Sequence, residues 1–232
     1  MAFHYRDVVP WGRSYEEYVR MFDLGEEELA RRILGCGDGP ASFNAELSRC
    51  GGRMVSADPL YGLEREAIER RIDETFDLVM SQTERERDRF VWREIRDVEH
   101  LAATRMAAMR AFLADYEQGR AQGRYLAAEL PELPFADGEY DLALSAHLLF
   151  FYADQLDRDF HRRALAELRR VAREVRIFPL VDVNARPSKH LAPLLEELER
   201  DGAAPEIATV PYEFQQGGNE MLLLRGLVAR RA

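Results

Sequence analysis

The chain has 232 residues, 47% hydrophobic and 32% charged, with a formal net charge of −10. At ~100–200 residues per domain this is one elaborated domain, 1–232, with ample material for a core, and it excludes disorder, collagen-like repeats and a small disulfide scaffold. The acidic balance argues against bulk nucleic-acid binding, and the longest near-apolar run, 142–152, falls short of the ~20 residues of a membrane helix.

The first segment, 1–32, reads as helical. Ser14 and Glu17 form a capping box, and Tyr15, Tyr18, Val19 and Phe22 then share one face; a short helix at 26–32 follows. A strand from Ile33 runs into Gly35-Cys36-Gly37-Asp38-Gly39-Pro40. A helix from Ala41 carries Phe43, Leu47 and Cys50 on its inner side and ends at Gly51-Gly52. A second strand, 53–57, closes on Asp58-Pro59. Residues 62–124 lack strand signals, and their apolar positions recur at helical spacing among dense mixed charge, which predicts amphipathic helices inserted after the second strand. Strands are then expected at 125–130, 140–144 and 174–183. Helices are expected at 160–174 and, capped by Ser188, through Leu191, Leu194, Leu195 and Leu198. Strands at 206–212 and 221–228 are joined by the turn sequence at 215–219.

The N-terminus carries charge where a signal peptide would be apolar, so none is expected. Cys36 and Cys50 stand outside any CxxC spacing, and His4, His100, His161 and His190 have no metal-ligand spacing. Reduced thiols in a cytoplasmic protein without a metal site are therefore the expectation. Lys189 is the only lysine, which reflects compositional bias.

The sum predicts an α/β fold: a doubly wound, mostly parallel sheet of about seven strands ending in an antiparallel hairpin. Ligands in such sheets bind beyond the carboxyl ends of the strands, so the loops starting at Gly35, Asp58, Glu129, Ser145 and Pro179 matter most. The spacing of Gly35, Gly37 and Gly39 permits close backbone approach to a ligand or, alternatively, a tight turn. Pro40 stands where a dinucleotide fingerprint needs its last glycine, which counts against a nicotinamide-dependent oxidoreductase. Asp58 is placed either to accept both hydroxyls of a ribose or to cap the turn before Pro59. Glu129 is placed to accept from a base amine or to stand as an exposed acid.

Gly35-Cys36-Gly37-Asp38-Gly39, Asp58, and the run from Leu133-Pro134-Phe135 through Tyr140-Asp141-Leu142 to Ser145 resemble the motifs of class I S-adenosylmethionine-dependent methyltransferases. The resemblance covers 33–58 and 125–228 and implies that family's Rossmann-like fold and its cofactor. It implies that Gly35, Cys36, Gly37 and Gly39 pass under the methionine moiety, that Asp58 holds the ribose and that Pro59 lines the adenine. Glu129 would meet the adenine amine, the Leu130 amide a ring nitrogen, and Ser145 would stand near the methyl. One feature departs from the family: its acid at the start of the glycine motif is replaced by Ile33 or Gly35, and Tyr15 or Tyr18 is placed to take over that work.

Methyl transfer asks mainly for alignment, with a base where the acceptor holds its proton firmly. His147, just after the fourth strand, is the candidate base, or else a partly buried histidine. Tyr152, Asp182, Tyr212 and Glu213 are further candidates, and Arg13 is one for the cofactor carboxylate. Ala57-Asp58-Pro59-Leu60-Tyr61 sits after the wrong strand for a nucleic-acid amino-methyltransferase. The expected activity is methyl transfer to a small molecule beneath a helical lid at 62–124. A non-catalytic nucleoside-binding domain is the alternative. The sequence leaves the acceptor atom and the oligomeric state open.

Overall fold

The computed structural model describes residues 9–227. His4 and the predicted end of the last strand at Val228 lie outside them. The elements in chain order are α1 (Tyr15–Met21), α2 (Glu26–Leu29), β1 (Arg32–Cys36), α3 (Phe43–Arg49), β2 (Arg53–Ala57), α4 (Arg65–Arg85), α5 (Val98–Ala121), β3 (Tyr125–Leu126), β4 (Leu142–Ala146), α6 (Arg158–Val171), β5 (Glu174–Phe178), α7 (Leu191–Arg200), β6 (Glu206–Thr209) and β7 (Glu220–Arg225).

The seven strands form one sheet in the order β3-β2-β1-β4-β5-β7-β6. Strands β1 to β5 pair in parallel, and β7 runs antiparallel to both β5 and β6. This is the doubly wound sheet with a terminal hairpin that the residue pattern predicts. Strand β4 is buried at every position, as a central strand covered on both faces must be. One apolar layer packs Leu165, Leu168, Leu194 and Leu198 against one face; the other packs Tyr18, Phe22, Phe43 and Leu47 against the opposite face. Strand order reverses between the parallel neighbours β1 and β4, which opens a crevice beyond their carboxyl ends.

Several boundaries differ from expectation. Strand β3 is two residues long, because the chain turns after Leu126, whose carbonyl accepts the Ala128 N–H (2.9 Å). Strand β5 stops at Phe178: Pro179 has no N–H, and 180–188 folds on itself through bonds from Asp182 N to Arg186 O and from Ser188 N to Leu180 O. Ser188 does not cap α7. His190 holds that position, and the Ser188 hydroxyl is buried without a partner among the described residues. Cys50 is exposed rather than inward-facing.

Helices α4 and α5 pack through Ile68, Ile72, Met109, Phe112 and Tyr116, with Trp11 against the same cluster. A buried ion pair fastens them to the sheet. Arg105 of α5, fully buried, bonds Glu17 of α1. The other Glu17 oxygen accepts from the Tyr212 hydroxyl at 2.6 Å, and the Ser14 amide closes the capping box at 2.9 Å. Burial raises the Glu17 pKa, but Arg105 and Arg13 outweigh it and hold the carboxyl at about 2.

Because the folded-state pKa lies below the ordinary value, this group's stabilisation is complete above about pH 4.5 and is lost as pH falls toward 2. Glu17→Gln strands a buried guanidinium and is expected to cost about 3–5 kcal/mol at pH 7. It also removes this contribution to acid sensitivity. Urea unfolding of both proteins between pH 7 and pH 3 measures the two effects.

Candidate active site

A cavity of about 500 Å3 opens at the switch point. One end lies over β3, β2 and β1, bounded by Gly37, Asp38, Gly39, Asp58 and Leu130; the other lies over β4, β5 and β7, bounded by His147, Phe151, Phe178, Tyr212 and Phe214. Residues between β2 and β3 contribute to its wall, among them Val79, Thr83, Phe90 and Leu101. Segment 86–92 is stitched to the final hairpin loop. Val91 N donates to Phe214 O (2.7 Å), Gln216 N donates to Arg89 O (2.9 Å), and Phe90 stacks on Phe214 with ring centroids 4.8 Å apart.

At the first end the glycine loop is shaped by two left-handed residues, Gly37 (φ 73°) and Gly39 (φ 53°). A side chain at Gly39 would meet no protein atom within 4 Å, so this stretch of backbone is bare toward the cavity. Asp58 ends β2, and its two oxygens accept from Gly39 N and Leu60 N, each at 2.8 Å. It thus caps the turn and holds the loop while still facing the cavity, so the two alternatives for this residue are compatible. Burial pushes its carboxyl up, against those two amide bonds. Pro59, Glu129 and Leu130 also line this end. Gly35, Cys36 and Ser145 do not: they lie within β1 and β4 beneath the cavity floor, and the Ser145 hydroxyl is buried without a partner among the described residues.

Asp38 escaped the sequence reading, although it is the only acid between the loop glycines. Its carboxylate folds back over Gly35, where an added Cβ would lie 1.8 Å from Oδ2, so Gly35 must be glycine. The Tyr18 hydroxyl donates to Oδ1 (2.9 Å) and the Ser56 hydroxyl to Oδ2 (2.7 Å). Burial raises the Asp38 pKa to about 7 despite these two bonds. This loop acid is tied to the N-terminal helix through Tyr18. Tyr15 instead stacks on Phe43 (5.3 Å).

At the second end His147 occupies a left-handed backbone position (φ 53°), as does Phe150 (φ 60°). Such conformations persist in non-glycine residues only where surroundings hold them. Here His147 N donates to Phe178 O (2.7 Å), and Phe150 N donates to Nε2 of buried His161 (3.0 Å). The His147 ring meets Phe151 and Phe178 edge-on, and its Nδ1 has no partner among the described residues. Burial, then the charges of Arg13 and Arg105, depress its pKa well below the ordinary value, so the imidazole is neutral at pH 7. Arg13 and Tyr152 also line the cavity, whereas Asp182 and Glu213 do not.

These features fit S-adenosylmethionine. Asp58 has lone pairs left for two ribose hydroxyls, the bare loop admits the methionine chain, and Leu130 with Pro59 offers an apolar edge for a base. Among the described residues no helix is long and apolar enough to cross a membrane.

Residues 89–175 match the sequence model of a family described as a methyltransferase domain. An uncharacterized protein of Methanocaldococcus jannaschii, MJ0045, is 33% identical over 221 residues, covering 95% of this chain and 97% of its own length. Among solved structures, magnesium protoporphyrin IX methyltransferase from Synechocystis with bound S-adenosylmethionine is 11% identical, with TM-score 0.48, and the match covers 91% of this chain and 77% of that one. A TehB-like S-adenosylmethionine-dependent methyltransferase from Corynebacterium glutamicum is 18% identical, with TM-score 0.46, covering 85% and 80%. The chain belongs to one family with the Methanocaldococcus protein, and its residues 89–175 match a methyltransferase domain.

Proposed function

We propose that the protein transfers a methyl group from S-adenosylmethionine to a small-molecule acceptor, with His147 receiving the acceptor's proton. The observation that carries this reading is the single cavity spanning the switch point, with Asp58 and the glycine loop at one end and a neutral histidine at the other. When bound, the cofactor supplies a methyl group on a positively charged sulfur, open to in-line displacement. The chain's own work is to hold, align and exclude water. Asp58 fixes the ribose, Pro59 and Leu130 flank the adenine, Glu129 faces its amine, and Asp38 offers negative charge to the ammonium group. Helices α4 and α5 with segment 86–92 form the lid, since they supply part of the wall and pair with the hairpin loop. A cavity of this size suits a small acceptor in a cytoplasmic enzyme, and the net charge of −10 argues against a nucleic-acid acceptor.

Calorimetric titration tests the cofactor end. Wild type is expected to bind S-adenosylmethionine and S-adenosylhomocysteine but not NADH. Asp58→Ala removes two charge-assisted hydrogen bonds and is expected to weaken binding at least ~100-fold, from about 1.5–3 kcal/mol for each bond. Undiminished binding by this variant would place the nucleoside elsewhere. Binding without transfer to any acceptor would favour a nucleoside-binding domain.

Asp38 predicts a pH dependence. Its carboxyl is protonated below about 7 and ionised above. An ammonium group prefers the ionised form, so cofactor affinity is expected to rise about tenfold from pH 6 to pH 8, with proton release on binding. Asp38→Asn should flatten that rise, and calorimetry in buffers of different ionisation enthalpy measures both effects.

A further inference from the structure

The second end of the cavity carries information about the acceptor that the methyltransferase reading does not use. Its walls are rings: Phe90, Phe151, Phe178 and Phe214, with the Tyr212 ring edge-on to Phe178 at 5.7 Å. Flat apolar walls favour a flat apolar occupant. The acids that line the cavity, Asp38, Asp58 and Glu129, all stand at the opposite end. Behind the ring-walled end the Glu17 carboxylate is spent on Arg105, Tyr212 and the Ser14 amide.

Positive charge is in excess here. Arg13 and Arg105 both act on His147 and on Tyr212, against the one carboxylate of Glu17. Arg13 donates through Nη1 to Trp11 O (3.0 Å) but has no carboxylate within ion-pair distance among the described residues. Nε of Arg13 and Nε and Nη2 of Arg105 are buried without partners among the described residues. An ammonium group would enter this field unpaired and repelled, and a carboxylate, though attracted, would have to shed its hydration before it could bind. A neutral group that becomes anionic only on reaching the imidazole avoids both costs.

We propose that the acceptor is a planar aromatic molecule bearing an ionisable hydroxyl, a phenol by chemical class, seated among Phe90, Phe151, Phe178 and Phe214 with its hydroxyl toward His147. This inference rests on the methyltransferase reading. In the transfer the hydroxyl proton passes to the His147 imidazole, and the phenolate oxygen forms its bond to the methyl carbon. The carbon–sulfur bond breaks, its electron pair stays on sulfur, and an aryl methyl ether and S-adenosylhomocysteine result. The imidazolium then returns its proton to water.

The probe is 4-nitrophenol, whose phenolate absorbs visible light. Titrated into protein saturated with S-adenosylhomocysteine, it is expected to bind with its pKa lowered by about one unit. Arg13→Gln is expected to remove at least half of that shift, and Arg13→Lys to keep most of it. In a transfer assay with S-adenosylmethionine, 4-nitrophenol and 2-naphthol should be methylated at least tenfold faster than phenethylamine or benzoate. A raised or unchanged pKa, or faster transfer to the amine or the carboxylate, overturns the inference. So does an absence of phenol binding or transfer while S-adenosylhomocysteine binds normally, and the methyltransferase reading then stands. Failure of S-adenosylhomocysteine itself to bind brings down that reading and this inference together.

Discussion

Glu17 accepts hydrogen bonds from the start of its own helix, from Arg105 on α5 and from Tyr212 just ahead of the last hairpin strand. Pieces of chain 88 and 195 residues away thus meet at one buried carboxylate. Isolated buried ion pairs are poor stabilisers, because desolvation consumes most of what attraction returns. This one gains from three donors, and its effect is geometric: it fastens α5 to the N-terminal helix and the hairpin, on the side of the sheet where β4 and β5 end and β7 begins. The placing of segment 86–92, of Arg13 and of the ring-walled chamber all depend on that fastening.

The same helix organises the other end of the cavity. Tyr18, one residue on, reaches Asp38 in the glycine loop, and Ser56 holds the second oxygen. Helix α1 therefore reaches the glycine loop through Tyr18 and the segment before the last hairpin strand through the adjacent Glu17.

Local signals made much of this legible from sequence. The Ser14–Glu17 box, the Gly-Gly stop after α3, the β1-loop-α3-β2 unit and the hairpin turn are written within a few residues, where capping and turn chemistry operate. Asp58, Pro59, Leu130 and His147 were findable because they follow strands in a parallel sheet. What escaped depends on distant partners. Nothing near Arg105 marks it as buried, and only Glu17 in space makes it so. Nothing local marks Asp38 as buried either; Tyr18 and Ser56, distant in sequence, bond its carboxylate. Ser145 itself lies in the core, because a strand's alternation turns one side chain inward and leaves its neighbours Ala146 and His147 at the cavity. Ser188 offered a good local cap, yet the fold-back of 180–188 took its amide and moved the cap position to His190.

The central claim is that one cavity holds the cofactor over β3, β2 and β1 and turns its reactive sulfur toward His147. A crystal structure with S-adenosylhomocysteine bound tests it most directly. The account predicts both ribose hydroxyls on Asp58, the amino group near Asp38, and the sulfur facing the chamber between His147 and Phe178. A nucleoside bound away from Asp58, or a sulfur directed away from the carboxyl ends of β4 and β5, would contradict it.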